Sequence, residues 1–204
     1  SPLARIPAIS FETGKRINFP ALPNTAREIQ KIGRLFPPER TTILAGAEDL
    51  EAAFKAASLD AYGIIHFAAH GWIDDEEWMR SALLLGTDGS GGEDGFLQPA
   101  EIRRLPLRAD LVVLSGCETA GGRLERGEGI RGLAQAFLKA GARSLVISQW
   151  SIEDRVAVDF MEAFYRGVAK GYSYASALRR AKLAFLESTR RHPYYWAPFV
   201  CLGP

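Results

Sequence analysis

The chain has 204 residues, with 25 Lys plus Arg against 24 Asp plus Glu and a formal charge of +1. That length suits one domain whose core is large enough to need no disulfide or metal staple. Near-neutrality removes the global electrostatic reason to expect nucleic acid or an anionic membrane as a partner. No window holds the roughly eighteen uninterrupted apolar residues of a membrane span. The two cysteines, Cys117 and Cys201, show no CxxC or Cys/His zinc spacing and fit a reduced, cytoplasmic setting better than a disulfide scaffold. The start at Ser1-Pro2, with no Met and no signal peptide, reads as a cut from a longer protein.

Residues 1–24 hold four of the eleven prolines and read as a leading segment or edge strand, with residues 25–204 as one domain. Ile29, Ile32 and Phe36 recur at helical spacing and stop at Pro37-Pro38. A short apolar run over 41–44 reads as a strand, and Leu50, Ala53, Phe54 and Ala57 mark a second helix. The run over 62–67 is the next strand. Residues 72–94 then break the pattern with Asp74, Asp75, Glu76, Glu77, Asp88, Glu93 and Asp94 against one base, Arg80. Gly89, Gly91 and Gly92 mark this excursion as loop or hairpin. It reads first as a solvated insertion, then as a lid or rim favouring basic peptides, and last as a divalent-cation site.

Leu111–Leu114 is again uniformly apolar. Ile130, Leu133, Ala134, Phe137 and Leu138 predict a helix stopped by Gly141. A strand over 145–147, helices over 153–170 and 173–188, and a closing strand Phe199–Leu202 complete the order. Unalternating strands are those covered on both faces. Their alternation with helices predicts an α/β fold: a mostly parallel sheet flanked by helices on both faces, in three layers, with right-handed crossovers.

In such a sheet, ligands bind beyond the carboxyl ends of the strands. There the chain carries Ala68-Ala69-His70-Gly71, Ser115-Gly116-Cys117-Glu118 and Ser148-Gln149-Trp150. Neighbouring strands run about 4.8 Å apart, which would let His70 and Cys117 face each other. An imidazole beside a thiol raises its thiolate fraction, the requirement for a nucleophile that transfers acyl groups. Such a dyad predicts a sulfur-to-ring-nitrogen separation of roughly 4–6 Å. The N–H groups of Gly71 and Cys117 are the matching oxyanion donors. Against this stands the plainer reading, in which the thiol is packing and the histidine a bonded loop residue. His66, His192 and Cys201 read as structural. There is no GxSxG, P-loop, HExxH or GxGxxG after a strand. Gly127-Glu128-Gly129 fits a helix entrance as well as an anion site.

Several runs in register resemble the CHAT domains, caspase-like peptidases often fused to tetratricopeptide repeats. Ile64-Ile65-His66-Phe67-Ala68-Ala69-His70-Gly71 is similar to their histidine motif, and Val112-Val113-Leu114-Ser115-Gly116-Cys117-Glu118-Thr119 to their cysteine motif. Gly127–Ala134, Ala140–Ser144, Trp150 with Glu153-Asp154-Arg155, and Tyr195-Trp196-Ala197-Pro198-Phe199 follow in order. The likeness runs from about residue 20 to the end.

The resemblance implies a caspase-hemoglobinase-like fold and a cysteine endopeptidase acting on a protein or peptide, without cofactor or metal. It implies His70 as general base and acid, Cys117 as nucleophile, and Gly71 with the Cys117 backbone as oxyanion hole. Ser115, Gln149 and Trp150 would line the substrate pocket. Asp154 is a candidate for selecting a basic residue, although Ser151-Ile152-Glu153-Asp154 also fits a capping box. Upstream tetratricopeptide repeats are a family habit. Many relatives have Ala in place of Gly116, which predicts a looser backbone here, and Leu-Trp-Pro in place of Gln149-Trp150-Ser151. Two rival functions are a catalytically silent peptide-binding or scaffolding module, and a small-molecule acyl hydrolase or transferase on the same dyad. The 121–126 loop is a candidate for self-cleavage.

Overall fold

A computed structural model describes residues 9–10, 16–17, 24–45, 50–74, 77–86, 92–119 and 128–204. For residues 9–10, 16–17, 117–119 and 128 this covers the backbone only. Ten strands and six α-helices are assigned among them. Two short strands, β1 (Ile9–Ser10) and β2 (Arg16–Ile17), pair with each other. Then come α1 (Thr25–Gly33), α2 (Leu50–Ala56), β3 (Ile64–Phe67), β4 (Gly71–Ile73), β5 (Ala82–Leu84), β6 (Phe96–Leu97) and α3 (Pro99–Ile102). The rest are β7 (Leu111–Leu114), β8 (Cys117–Thr119), α4 (Glu128–Ala140), β9 (Leu145–Ser148), α5 (Asp154–Ala169), α6 (Tyr174–Leu186) and β10 (Phe199–Leu202). None of these helices is long and apolar enough to cross a membrane.

The main sheet has the order β10-β9-β7-β3. β3, β7 and β9 are parallel, with Phe67 opposite Leu114 and Leu114 opposite Ile147; β10 joins β9 antiparallel. Side chains alternate across it. Ile65, Phe67, Val112, Leu114, Leu145 and Ile147 share one core with Phe54 and Phe137 from α2 and α4. Leu111, Val113, Val146 and Phe199 share the other with Ile32, Phe160, Phe164 and Leu178 from α1, α5 and α6. The expected three-layer sandwich is therefore present, and it is caspase-like in its mostly parallel central sheet.

Helix ends follow local chemistry. α4 stops at Gly141, whose φ is +116°; a Cβ there would also lie 2.1 Å from the Leu107 carbonyl oxygen, so two constraints demand glycine. The capping box expected from Ser151 does not form. The N-cap of α5 is Glu153, with no side-chain cap bond. The Asp154 carboxylate instead accepts from the backbone and side-chain nitrogens of Asn24, at 2.8 and 3.0 Å, tying the start of α1 to the start of α5.

Two further expectations are corrected. Residues 41–44 are not a strand: Ile43 and Leu44 are 47% and 41% exposed. Thr41 is captured by the preceding 3-10 turn, its N–H donating to Pro38 O and its hydroxyl to Pro37 O, so a local turn wins over a ladder. The 72–94 excursion is not simply solvated. Its described part builds a second sheet, β6-β5-β4-β8, in which Ala82, Leu83 and Leu97 are almost wholly buried. β5 and β6 form the expected hairpin. Asp75, Glu76 and Asp88 lie outside the described residues. Glu93 meets Glu51 and Glu101 around the Lys55 ammonium, at 2.7, 2.8 and 2.5 Å. Lys55 thus stands where a cation shared by these three carboxylates would go.

Candidate active site

β3 and β7 end in register, and both chains continue side by side. The Ser115 N–H donates to Phe67 O at 3.0 Å, and its hydroxyl reaches the same oxygen at 3.3 Å. One residue after Ser115 and four after Phe67, the Gly71 N–H donates to Gly116 O at 2.9 Å, and the ladder restarts as parallel β4 and β8 with Gly71 opposite Cys117. At Gly116 the two segments run close together: a Cβ there would lie 2.5 Å from the Ala69 carbonyl oxygen. The looser backbone expected from this glycine is the reverse of what the structure has. Glycine here permits tight contact between the two segments that carry His70 and Cys117.

His70 therefore precedes, by one residue, the cross-strand partner of Cys117. It is buried (4% exposed), and its carbonyl accepts the Leu84 N–H at 2.8 Å. The residue is thus held from the β8 side through Gly71 and from the β5 side through its own oxygen. The Cys117 side chain, and with it the expected sulfur-to-ring separation, lies outside the described residues, as do Gly127 and the 121–126 loop. In a parallel ladder one residue bonds to both neighbours of its partner. Gly71 plays that part here, so its amide is engaged with Gly116, while the Cys117 amide lies on the side of β8 away from β4.

One strand over, Ser115 and Ser148 are both buried, on adjacent strand ends. Gln149 is exposed and Trp150 half-buried. The Ser148 hydroxyl donates to Trp150 O at 2.7 Å, and the Gln149 N–H to Pro198 O at 3.0 Å. The Trp150 indole N–H donates to Tyr194 O at 3.1 Å, while the Tyr194 hydroxyl donates to Ser151 O at 2.9 Å. Ser115, Gln149 and Trp150 thus gather at one end of the sheet. Asp154 stands at the first turn of α5, its carboxylate holding Asn24.

The remaining histidines have structural partners, and the second cysteine packs against a core. His66 Nε2 meets the buried Glu28 carboxylate at 2.9 Å, and Nδ1 meets the Tyr165 hydroxyl at 3.2 Å. Burial, reinforced by the Glu28 charge, pushes the Tyr165 phenol well above its usual range, so it stays neutral. His192 Nδ1 accepts the Tyr194 N–H at 3.2 Å, capping a 3-10 turn. Cys201 is a free thiol in β10, pushed up by burial.

Sequence reasoning missed Tyr194 and the close packing of the α4 glycines. A Cβ on Gly129 would lie 2.5 Å from Ile73 Cγ2, and one on Gly132 would lie 2.5 Å from the Trp78 ring. The spacing of three between these glycines was the available signal: it puts both on one helix face, where α4 docks against the segment following β4.

A model of the CHAT domain matches residues 7–204. Tetratricopeptide repeat protein 28 of Mus musculus is 32% identical over 109 residues, covering 53% of this chain and 4% of that protein. Its Homo sapiens counterpart is 31% identical over 135 residues, covering 61% of this chain and 5% of that protein. The chain thus spans a small fraction of the length of these relatives. With the matched motifs seated on adjacent strand ends of a caspase-like sheet, the chain belongs to the CHAT domain family.

Proposed function

We propose that this domain is a cysteine endopeptidase that cleaves a protein or peptide through Cys117 and His70. The observation that supports this most is the register of β4 against β8, with Gly71 opposite Cys117 and His70 one residue before it. His70 takes the thiol proton as the Cys117 sulfur bonds to the scissile carbonyl carbon. The resulting oxyanion is met by the Cys117 amide, which the ladder leaves off β4; the Gly71 amide joins only if it releases Gly116 O. His70 then gives its proton to the leaving amine, the C–N bond breaks, and an acyl-enzyme remains. Water, deprotonated by His70, hydrolyses the thioester and restores the thiol.

The extended substrate runs along the carboxyl ends of the strands, its specificity side chain beside Ser115, Gln149 and Trp150. Asp154 is a weaker candidate for this pocket because Asn24 occupies its carboxylate. The reaction needs no cofactor. The relatives' names support upstream tetratricopeptide repeats as the setting in which the domain meets its substrate.

A peptide-library digest comparing wild type with Cys117→Ala tests the proposal. Cleavage should appear with the wild type and vanish in the variant; identical digests would remove the enzyme reading. A catalytically silent binding module is the second reading, favoured by the 4% exposure of His70. A thiol-directed probe separates the two, because a silent module should show no Cys117 labelling above background.

A further inference from the structure

The turn over 192–198 has no part in the dyad, yet it grips the loop after β9 at three points. The Trp150 indole N–H donates to Tyr194 O at 3.1 Å, the Tyr194 hydroxyl donates to Ser151 O at 2.9 Å, and the Gln149 N–H donates to Pro198 O at 3.0 Å. Tyr194 is itself fixed. Its N–H donates to His192 Nδ1, and its ring meets Tyr195 edge-on at 5.6 Å between centroids. Tyr194 keeps 47% exposure. Its hydroxyl reaches past its own turn, and the bond it donates ends on the loop carrying Gln149 and Trp150.

We propose that Tyr194 is the positioning residue of the specificity wall. Its carbonyl fixes the plane of the Trp150 indole and its hydroxyl fixes the path of 149–151, so the two together set which substrate side chains fit beside Ser115 and Gln149. The inference rests on the endopeptidase reading, in which Trp150 faces the substrate. An indole held by its N–H, on a loop held by its carbonyls, has already lost the rotamers that substrate binding would otherwise have to freeze. Removing the phenol hydroxyl takes away one of the three ties while leaving the aromatic ring and the backbone carbonyl in place.

The test is Tyr194→Phe against wild type on the same peptide library, with thermal unfolding to check that the variant stays folded. KM for the preferred peptide should rise about 3- to 10-fold, the range set by one hydrogen bond. kcat should stay within about twofold, and discrimination between preferred and second-ranked peptides should narrow. Trp150→Phe should shift the same quantities, and the double variant should add little to either single one, as for two members of one linkage. Unchanged KM and discrimination in a folded Tyr194→Phe, or a loss confined to kcat, overturns the proposal. If the wild type shows no Cys117-dependent cleavage, the endopeptidase reading fails separately. The clasp is then decided by amide exchange at 149–151: about tenfold faster exchange in Tyr194→Phe supports it, and equal rates overturn it.

Discussion

Gly116 shows how one missing carbon fixes the site. The nearest obstacle to a Cβ is Ala69 O at 2.5 Å, followed by Ala69 C at 3.2 Å; both are backbone atoms, which cannot swing aside like the end of a long side chain. Gly116→Ala must therefore part the two chains by several tenths of an ångström and stretch the 2.9 Å bond from Gly71 N to Gly116 O. Overpacking of this kind destabilises by about 1–3 kcal/mol. On the proposed chemistry it also moves His70 relative to Cys117, where a displacement approaching 1 Å lowers rate by up to about 100-fold. The expected outcome is a modest loss of stability in denaturant unfolding and a larger loss of kcat on a cleaved peptide. Full activity in a folded Gly116→Ala variant would show that the close approach does not set the site's geometry.

At the scale of elements, the second sheet hangs on one buried carboxylate. Glu51 of α2 has a fully buried side chain, and its Oε2 accepts the Gly95 N–H at 2.7 Å just before β6 begins. Burial pushes the Glu51 carboxyl up, while its bond to Lys55 opposes that shift. Burial also opposes the charge on Lys55, yet its bonds to Glu101, Glu51 and Glu93 outweigh this and raise the ammonium. Lys55→Met leaves three carboxylates around an uncharged side chain. Removing one partner of a buried pair is worth about 3–5 kcal/mol, and the lower figure suits a lysine that keeps some exposure.

The pH dependence of that variant has a definite sign. A carboxyl whose folded pKa lies above its unfolded value of 4.5 loses stability as pH rises from the unfolded towards the folded value. Without Lys55 the folded value climbs further. Lys55→Met should therefore be closer to wild type in stability at pH 5 than at pH 7. A gap independent of pH would assign the loss to packing of the lysine stem.

The same elements show what was legible in the sequence. Leu111–Leu114 and residues 145–147 are apolar along their lengths and buried throughout, so the unbroken apolar run alone located them. The 41–44 run, half of it threonine, ends exposed, because a short run becomes a strand only where a ladder partner outcompetes local turn bonds. The β4-β5-β6 strands were legible only as a loop or hairpin, for a different reason. Each has only two or three residues, and the seven acids around them masked Ala82, Leu83 and Leu97. The neighbouring placement of the segments that carry His70 and Cys117 was legible because both follow strands of one parallel sheet. Tyr194 was not, because a hydroxyl that supports a loop has no spacing of its own.

Across the whole molecule, the sheet separates two cores with unequal duties. The first joins Phe67 and Phe137, whose rings lie 5.5 Å apart, to Ile73, Leu83 and Leu97 of the second sheet. Phe67 closes the strand three residues before His70, so this core supports the site from beneath. The second holds Phe160, stacked on Phe199 at 4.1 Å and edge-on to Phe185 at 5.1 Å. It braces α5 and α6 against β10, on the opposite face of the sheet. Phe137 and Phe160 are both wholly buried. Each Phe→Ala change should lower stability by about 3–5 kcal/mol. With the sheet between them and each in a different core, the two losses should add within about 0.5 kcal/mol. On the proposed chemistry, their effects on peptide cleavage, measured well below either unfolding midpoint, should differ. Phe137→Ala opens a cavity beneath the segment that positions His70 and should lower kcat severalfold, while Phe160→Ala should leave kcat near wild type. Equal losses of kcat would mean that the two cores transmit to the site alike, and that the sheet does not insulate one face from the other.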